Sequence, residues 1–312
     1  MSLYDVIIIG GGPAGLAAGI YASRAALKTL LLEKGMPGGL AASTEFIENY
    51  PGFAEGVGGP ELMMQMDAQA RRFGMEVKSA TAETIEAGED FFTINTDEEA
   101  ITAKTIILAT GAQPQKLKAP GEKEFHGRGV SYCATCDGAF FRDKEVAVVG
   151  GGDSAIEEAI YLTKFAGKVH IIHRRGELRA TKILQQRALD NEKIVLHWHS
   201  VVEKISGEAT VTEITLKDVR NGETELLAVN GIFIYVGTRP VSDLVAGLIK
   251  LDERGYIITD ENMHTSRQGI YAAGDIRQKT LRQVVTAVAD GAIAAVAAEK
   301  YIESHKKIAV SN

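Results

Sequence analysis

The chain contains few cysteines and no long apolar run, and these absences exclude several classes of protein. Only two of its 312 residues are cysteine, so a secreted fold built on disulfide bonds is excluded. No apolar run reaches the roughly 20 residues that a membrane-spanning helix needs. The N-terminus lacks a basic region before its apolar run, so we expect no signal peptide. The expected compartment is therefore the cytoplasm.

The charge balance also excludes one class of partner. The formal net charge is −7, which disfavours nucleic acid as the main partner. The local exception is a basic cluster formed by His173, Arg174, Arg175 and Arg179. The chain is rich in glycine, with 33 residues, and this composition suits a nucleotide-binding α/β protein. Its length predicts two domains.

The two cysteines stand close together, as Cys133-Ala134-Thr135-Cys136, and Asp137 follows at once. Two thiols separated by two residues can close a small disulfide and exchange it with another one. An adjacent carboxylic acid can move the proton that this exchange requires. The sequence therefore predicts a redox-active dithiol with three catalytic residues, namely Cys133, Cys136 and Asp137.

A zinc half-site and a structural staple are the alternatives for the cysteine pair. Structural zinc usually takes four protein ligands, and no second cysteine pair exists. We therefore expect no metal. A staple that closes so short a loop would stabilise the fold little.

A nucleotide-binding pattern opens the chain. A buried-strand pattern at residues 5–9 precedes the turn GGGPAG at residues 10–15, a helix from Leu16 to about Ala26, and a strand from Lys28 to Glu33. Such glycines allow a tight turn and let the backbone approach a pyrophosphate at the helix N-terminus. An acid at the end of the second strand can accept hydrogen bonds from a ribose diol. The predicted dinucleotide site consists of Gly10, Gly12, Pro13, Ala14, Gly15 and Glu33.

The same pattern recurs in the middle of the chain. A strand is predicted over residues 145–149, the turn GGGDSA over 150–155, a helix from Ile156 to about Phe165, and a strand over 169–172. Ala155 replaces the third glycine, which the pattern permits. His173 follows Gly150 at the spacing by which Glu33 follows Gly10.

The second copy therefore lacks the acid and carries arginines in its place. An acid would repel a 2′-phosphate, whereas guanidinium groups pair with it. We predict an NADP(H) site, and the alternative is a solvated basic turn. The predicted contacts are Gly150, Gly152, Asp153, Ser154, Ala155, His173, Arg174, Arg175 and Arg179.

Two similar segments bracket the second copy. Residues 105–111 and 231–237 each predict a strand that ends in glycine, and Pro114 and Pro240 follow at equal distances. We infer an α/β fold of two Rossmann-like dinucleotide-binding domains, the second inserted into the first. The discontinuous domain would comprise residues 1–114 and 245–312, and the inserted domain residues 115–244.

The returning segment contains a further acid. Residues 269–276 predict a strand and a turn, and Asp275 in that turn could bind a ribityl hydroxyl or could only cap the turn. A helix is predicted from Leu281 to about Tyr301, and its N-terminus could stabilise negative charge on a flavin. From about Lys306 we expect a frayed tail.

With these motifs the chain resembles the low-molecular-weight, bacterial-type thioredoxin reductases over nearly its whole length. The shared motifs are GGGPAG, IENYPG, ATGA, CATCD, GGGDSA, HRRGELRA, GTRP, AAGD and RQV. The resemblance implies FAD in the discontinuous domain, NADPH in the inserted domain, thioredoxin as the electron acceptor, and a homodimer. Its implied FAD contacts are Lys34, Gly39, Leu40, Asn49, Thr110, Gly111, Asp275, Arg282, Gln283 and Val284.

The resemblance also implies a relay from NADPH to FAD, then to the disulfide and finally to thioredoxin. Cys136 would face the flavin, Cys133 would attack the partner, and Asp137 would act as the acid. Rotation of the domains about the two crossings of the chain would let one dithiol meet both. Two departures, Leu40 in place of the usual Gln and Ala289 in place of a common Gly, bear on the tuning of the flavin.

Two other functions remain open. One is a related flavoprotein that oxidises a small dithiol with oxygen and without NADPH, and the arginine cluster argues against it. The other is an NADP-sensing redox switch that does not turn over. Steady NADPH consumption with a disulfide acceptor would separate both from a reductase.

Overall fold

The chain divides into two units that are discontinuous in sequence. The computed structural model describes residues 3–310, with side chains for residues 3–305, so the expected tail from about Lys306 lies outside the described side chains. One unit comprises Met1–Gln113 and Arg239–Asn312, here the discontinuous unit, and Pro114–Thr238 forms the inserted unit. This arrangement confirms the predicted α/β fold with one unit inserted into the other.

The first segment folds around its glycine-rich turn. Its first helix begins at Pro13, three residues before the predicted Leu16, because proline suits the first turn of a helix, where its missing N–H is not needed. The elements are β1 (Leu3–Ile9), α1 (Pro13–Arg24), β2 (Thr29–Glu33), a 3₁₀ turn (Gly39–Ser43), α2 (Gly59–Arg72), β3 (Glu76–Ser79), β4 (Ala82–Ala87), β5 (Phe92–Thr96), β6 (Ala100–Leu108) and β7 (Ala112–Pro114).

The inserted unit repeats the strand–turn–helix plan. Its second helix begins three residues earlier than predicted, at Asp153, because the glycine turn ends at Gly152. The elements are β8 (Val130–Ser131), α3 (Ala134–Asp137), a 3₁₀ turn (Gly138–Phe141), β9 (Glu145–Val149), α4 (Asp153–Leu162), β10 (Lys168–Ile172), α5 (Lys182–Leu189), β11 (Ile194–His197), β12 (Ser200–Gly207), β13 (Val211–Asp218), β14 (Thr224–Ala228), β15 (Gly231–Ile234) and β16 (Thr238–Pro240).

The returning segment completes the discontinuous unit. Its long helix begins at Val284 and not at the predicted Leu281, because the Thr286 hydroxyl accepts the N–H of Gln283 and donates to the carbonyl of Leu281, which wraps these residues into a turn. The elements are a 3₁₀ turn (Asp243–Val245), β17 (Ile270–Ala272), a 3₁₀ turn (Gly274–Ile276) and α6 (Val284–Val310).

The sheets place both glycine turns at the carboxyl ends of parallel strands. In the discontinuous unit the order is β3-β2-β1-β6-β5-β4, with β17 beside β6. Strands β3, β2, β1, β6 and β17 run parallel, whereas β5 and β4 join antiparallel. In the inserted unit the parallel order is β11-β10-β9-β15-β8. Ligands of such sheets bind at this edge. The central strands are fully buried, as the 0% exposure of Val6, Ile7 and Ile8 in β1 shows.

The chain crosses between the units after Gln113 and after Thr238. The boundaries predicted from the sequence, after residues 114 and 244, lie one residue and six residues later, respectively. The return is early because Val241 already bonds within the discontinuous unit: its N–H donates to Gly111 at 3.0 Å, and its carbonyl accepts from Thr110 Oγ1 at 2.6 Å. Among the described residues, no helix is long and apolar enough to cross a membrane.

Candidate active site and nucleotide-binding turns

The two cysteines form a disulfide at the start of the short helix α3. Their Cα atoms lie 5.3 Å apart, and the Sγ of Cys133 accepts the N–H of Cys136 at 3.2 Å. Cys133 is half-buried, whereas Cys136 is exposed. Over the described part of the chain, no group of three or more His, Cys, Asp or Glu side chains is arranged to hold a metal ion. The observed bond agrees with a dithiol pair, and its redox role remains a prediction.

A buried serine links the disulfide to the predicted acid. The hydroxyl of Ser131 lies 2.6 Å from Asp137 Oδ2, to which it donates, and it accepts the N–H of Cys133 at 3.1 Å. Ser131 is only 3% exposed, so water competes little for these bonds. The geometry fixes the carboxyl of Asp137 relative to Cys133. Ser131 was not among the residues predicted from the sequence, because no recognised spacing connects a serine to the acid six residues later.

A buried tyrosine supports the same turn from another strand. The hydroxyl of Tyr235, just after β15, accepts the N–H of Ala134 at 2.9 Å. Burial, reinforced by the charges of Glu158 and Asp137, raises the pKa of Tyr235 well above its usual value, so it remains a neutral phenol. The sequence carried a signal for this residue: when residues 105–111 are aligned with residues 231–237, Tyr235 stands opposite Ala109.

The first glycine turn leaves room for a phosphate. Gly10 has φ +107°, and a Cβ there would lie 2.4 Å from the carbonyl oxygen of Ala109, so no other residue fits. At Gly12 an added Cβ would meet only the Cα of Gly39, at 4.0 Å, so the backbone at the start of α1 is open to a ligand. Glu33 Oε2 accepts the N–H of Gly11 at 2.7 Å, which holds this acid against the turn.

The returning segment adds two orphaned polar atoms to the discontinuous unit. Asp275 Oδ1 and Arg282 Nε are buried and have no hydrogen-bond partner among the described residues. Burial raises the pKa of Asp275, the charges of Lys279 and Arg282 oppose this rise, and the charge of Asp290 adds to it. An oxygen that is not used within the turn argues for the ribityl role over the capping role. A polyhydroxylated anionic group such as FAD fits this donor and acceptor set.

Two further predicted FAD contacts meet although they are far apart in sequence. Asn49 Nδ2 donates to Gln283 Oε1 at 3.1 Å. The Thr110 hydroxyl donates to the carbonyl of Val241 and so ties down the returning chain; its role toward FAD stays a prediction. Lys34 and Leu40 are exposed near the turn that contains Gly39, and no contact in the described structure assigns either of them a role.

The second glycine turn repeats the first. Gly150 has φ +152°, and its Cβ would lie 2.5 Å from the carbonyl oxygen of Tyr235. Gly152 has nothing within 4 Å of such a Cβ, which again leaves the helix start open. Asp153 Oδ1 accepts the N–H of Thr181 at 2.6 Å, so it fastens the arginine-bearing loop. Ser154 is exposed and Ala155 is buried.

His173 lies beneath this turn and does not project from it. Its side chain is buried, and a Cβ on Gly151 would lie 2.4 Å from its ring. Burial lowers the pKa of His173, the three neighbouring arginines lower it further, and a hydrogen bond with the Glu177 backbone opposes them. The neutral ring leaves Nε2 buried without a partner among the described residues.

The charges of three arginines act on His173 beside the same turn. Arg174, Arg175 and Arg179 are exposed, and the backbone N–H of Arg179 donates to the Gly151 carbonyl at 2.7 Å. Within residues 3–305 no carboxylate lies within ion-pair distance of these three guanidinium groups. Free guanidinium groups beside an open helix N-terminus can hold a phosphate.

Comparisons with known proteins agree with this geometry. A family model described as pyridine nucleotide-disulphide oxidoreductase matches residues 4–291. The thioredoxin reductase of Bacillus subtilis is 50% identical over 302 residues, which cover 96% of this chain and 95% of that protein. The structure of Lactococcus lactis thioredoxin reductase has a TM-score of 0.95 at 50% identity and covers 96% and 99% of the two chains. For T. acidophilum thioredoxin reductase the TM-score is 0.92 at 34% identity, with the same coverage. The chain therefore belongs to the pyridine nucleotide-disulphide oxidoreductases and, within them, to the thioredoxin reductases.

Proposed function

We propose that this oxidoreductase transfers electrons from NADPH, through bound FAD and the Cys133–Cys136 pair, to thioredoxin. The observation that carries the proposal is a closed disulfide whose neighbouring acid is held in place, in the same unit as a glycine turn lined by free arginines. FAD, when bound, would accept a hydride from NADPH and deliver two electrons to the disulfide.

The chain's own residues then carry out thiol–disulfide exchange. The Cys133 thiolate attacks one sulfur of the partner disulfide, a mixed disulfide forms, and one partner thiolate leaves. Asp137, oriented by Ser131, supplies the proton to a departing thiolate. The Cys136 thiolate then attacks Cys133 Sγ, which restores the internal disulfide and releases the second partner thiol.

The two nucleotides are assigned to separate units. The open start of α1, Glu33 and the orphaned Asp275 oxygen support FAD in the discontinuous unit. The open start of α4 and the free guanidinium groups support NADPH in the inserted unit. Since one dithiol must meet both FAD and a protein, we propose that the units rotate about the two crossings of the chain.

A protein acceptor is supported by the surface beside the dithiol. Phe140, four residues after Cys136, is 74% exposed, and an exposed aromatic ring is a common anchor in protein interfaces.

Exposed apolar side chains on α1 and α6, among them Tyr21 and Ile293, support a homodimer, which sedimentation can test. We assign the cytoplasm as the compartment, since the pair must be kept reducible.

The test is an NADPH-oxidation assay with thioredoxin and with a chromogenic disulfide. We expect steady NADPH consumption that depends on the acceptor, and its loss in both Cys133→Ser and Cys136→Ser. Bleaching of the bound flavin by NADPH should survive in both variants, because hydride transfer precedes the dithiol step. Turnover of thioredoxin by the double Cys→Ser variant would contradict the route, and binding of NADPH without turnover would favour the redox switch.

A further inference from the structure

A buried aspartate lies at the centre of a charged cluster near the start of α6. Asp290 is 6% exposed. Its Oδ1 accepts from Arg277 Nη1 at 3.0 Å, and its Oδ2 accepts from Lys279 Nζ at 2.7 Å. The cation side chains are themselves only 13% and 8% exposed. Asp290 is not among the residues predicted to contact a cofactor, and it takes no part in the dithiol chemistry.

Asp290 also makes a third bond, and this bond leads to the proposed FAD site. Its Oδ2 accepts the backbone N–H of Gly274 at 3.0 Å. Gly274 immediately precedes Asp275, its φ is +81°, and a Cβ added to it would lie 2.8 Å from the Ala14 Cβ. The peptide that carries Asp275 is therefore fixed between α1 and Asp290.

The remaining contacts of the turn strengthen this fixation. Arg277 Nε donates to Thr259 Oγ1 at 2.8 Å, so the cation that binds Asp290 also anchors the chain segment around Thr259. Asp275 itself keeps a buried oxygen without a partner. The charges that face it come from Lys279, Arg282 and Asp290.

A purely structural role does not account for this arrangement well. A buried ion pair is weak support for stability, because well-packed apolar side chains of similar volume often serve as well or better. Here three charged groups are buried to hold one backbone N–H, next to a carboxylate whose own oxygen is left unsatisfied. Preorganised sites are typically built in this way, with a second layer of groups that orients the group in contact with the ligand.

We propose that Asp290 is a positioning residue for FAD, which holds the Gly274 peptide so that the Asp275 carboxylate is aimed at a flavin hydroxyl. The proposal rests on the proposed function, since it deepens the FAD site. Asp290 acts through Asp275, and Arg277 and Lys279 keep the Asp290 carboxylate in its bonding orientation.

The experiment is a double-mutant cycle on FAD binding by the apoprotein, followed by flavin fluorescence. Asp275→Asn should raise the FAD dissociation constant roughly tenfold to hundredfold, the usual effect of losing a charge-assisted hydrogen bond. Asp290→Asn should raise it similarly, because an amide has one acceptor oxygen and cannot serve both Gly274 and Arg277. The FAD dissociation constant of the double variant should exceed that of the weaker-binding single variant by no more than roughly threefold.

Controls separate positioning from loss of fold. Asp5→Asn removes an ion-paired aspartate at the opposite end of β1 and should leave the FAD constant unchanged. If Asp290→Asn does not fold, Asp290→Asn combined with Lys279→Met keeps the net charge of the cluster and takes its place in the cycle. Apoprotein unfolding is recorded for every variant.

The outcomes are distinct. The proposal would be overturned if the rise in the FAD dissociation constant in the double variant equals the product of the two single rises, or if the Asp290 variant binds FAD as well as wild type. Either result would leave the proposed function intact. A wild-type protein that binds no FAD would instead overturn the proposed function itself. Coupled losses of affinity, without equal losses of apoprotein stability, would support the positioning role.

Discussion

Replacing Ser131 by Ala should slow the dithiol step while leaving both nucleotide sites intact. The variant loses the hydrogen bond to the Asp137 carboxylate at 2.6 Å and leaves the Cys133 N–H without its acceptor. A bond to a charged group contributes about 1.5–3 kcal/mol, and an unsatisfied buried donor costs about 1–3 kcal/mol. If the carboxylate bond alone matters to proton transfer, thioredoxin reduction should slow by roughly 10- to 100-fold, since about 1.4 kcal/mol corresponds to a factor of ten.

The assay is stopped-flow absorbance with oxidised thioredoxin present, which separates flavin bleaching by NADPH from reoxidation of the flavin through the disulfide to thioredoxin. Only the second phase should slow in Ser131→Ala. Ser242→Ala is the matched control, because Ser242 is also buried, at 6% exposure, and donates one hydrogen bond, to the Gly255 carbonyl. It should lower stability without changing either phase. Equal second-phase rates in wild type and Ser131→Ala, or equal slowing in the control, would refute the reasoning.

Three further predictions concern the nucleotide, the acceptor and pH. Replacing Arg174 and Arg175 together by Gln should raise the KM for NADPH by roughly tenfold or more per lost contact and leave NADH kinetics nearly unchanged; equal use of both nucleotides by the wild type would refute the assignment. Phe140→Ala should raise the KM for thioredoxin but not for a small chromogenic disulfide, and a parallel rise for both would show that the exposed ring does not bind the acceptor. His173 has a lowered pKa in the folded chain, so the unfolded state binds the proton more readily and stability should be lost as pH falls below about 6.5. Chemical denaturation at pH 7.5 and 5.5 should show a smaller loss in His173→Gln than in wild type, and an identical loss would contradict the proposed origin.

Much of the fold was predictable because the nucleotide pattern fixes strand, turn and helix together. The strand over residues 145–149 has the predicted bounds, since a run of β-branched residues before a glycine turn leaves little choice. Helix starts were misplaced by three residues in α1, α4 and α6. Each was decided by a local feature, such as a proline at the first turn or the Thr286 side-chain bonds, which hydrophobic periodicity does not register.

The groups that support the candidate site were not predictable in the same way. Tyr235 and Asp290 act through hydrogen bonds to backbone N–H groups that only the folded chain brings near them. No recognised spacing connects either residue to the group that it contacts. The thiols, the acid and the arginines were identifiable because their chemistry is intrinsic to the side chain.

The two glycine turns show how a duplicated backbone acquires two different chemistries. In both copies the first glycine is forced by the same contact, a carbonyl oxygen from the neighbouring parallel strand, supplied by Ala109 in one and by Tyr235 in the other. Because that contact involves only the backbone, the side chain at this position is free to differ. In the discontinuous unit it is a methyl group, and in the inserted unit it is a phenol that reaches the N–H of Ala134.

The residue at the end of the second strand differs in the same way. The acid Glu33 bonds the turn, whereas the neutral His173 lies beneath it and leaves the arginines to set the local charge. The steric demands of the turn keep the backbone the same in both copies, and these two side-chain positions distinguish the turn proposed for FAD from the turn proposed for NADPH, whose unit also carries the dithiol.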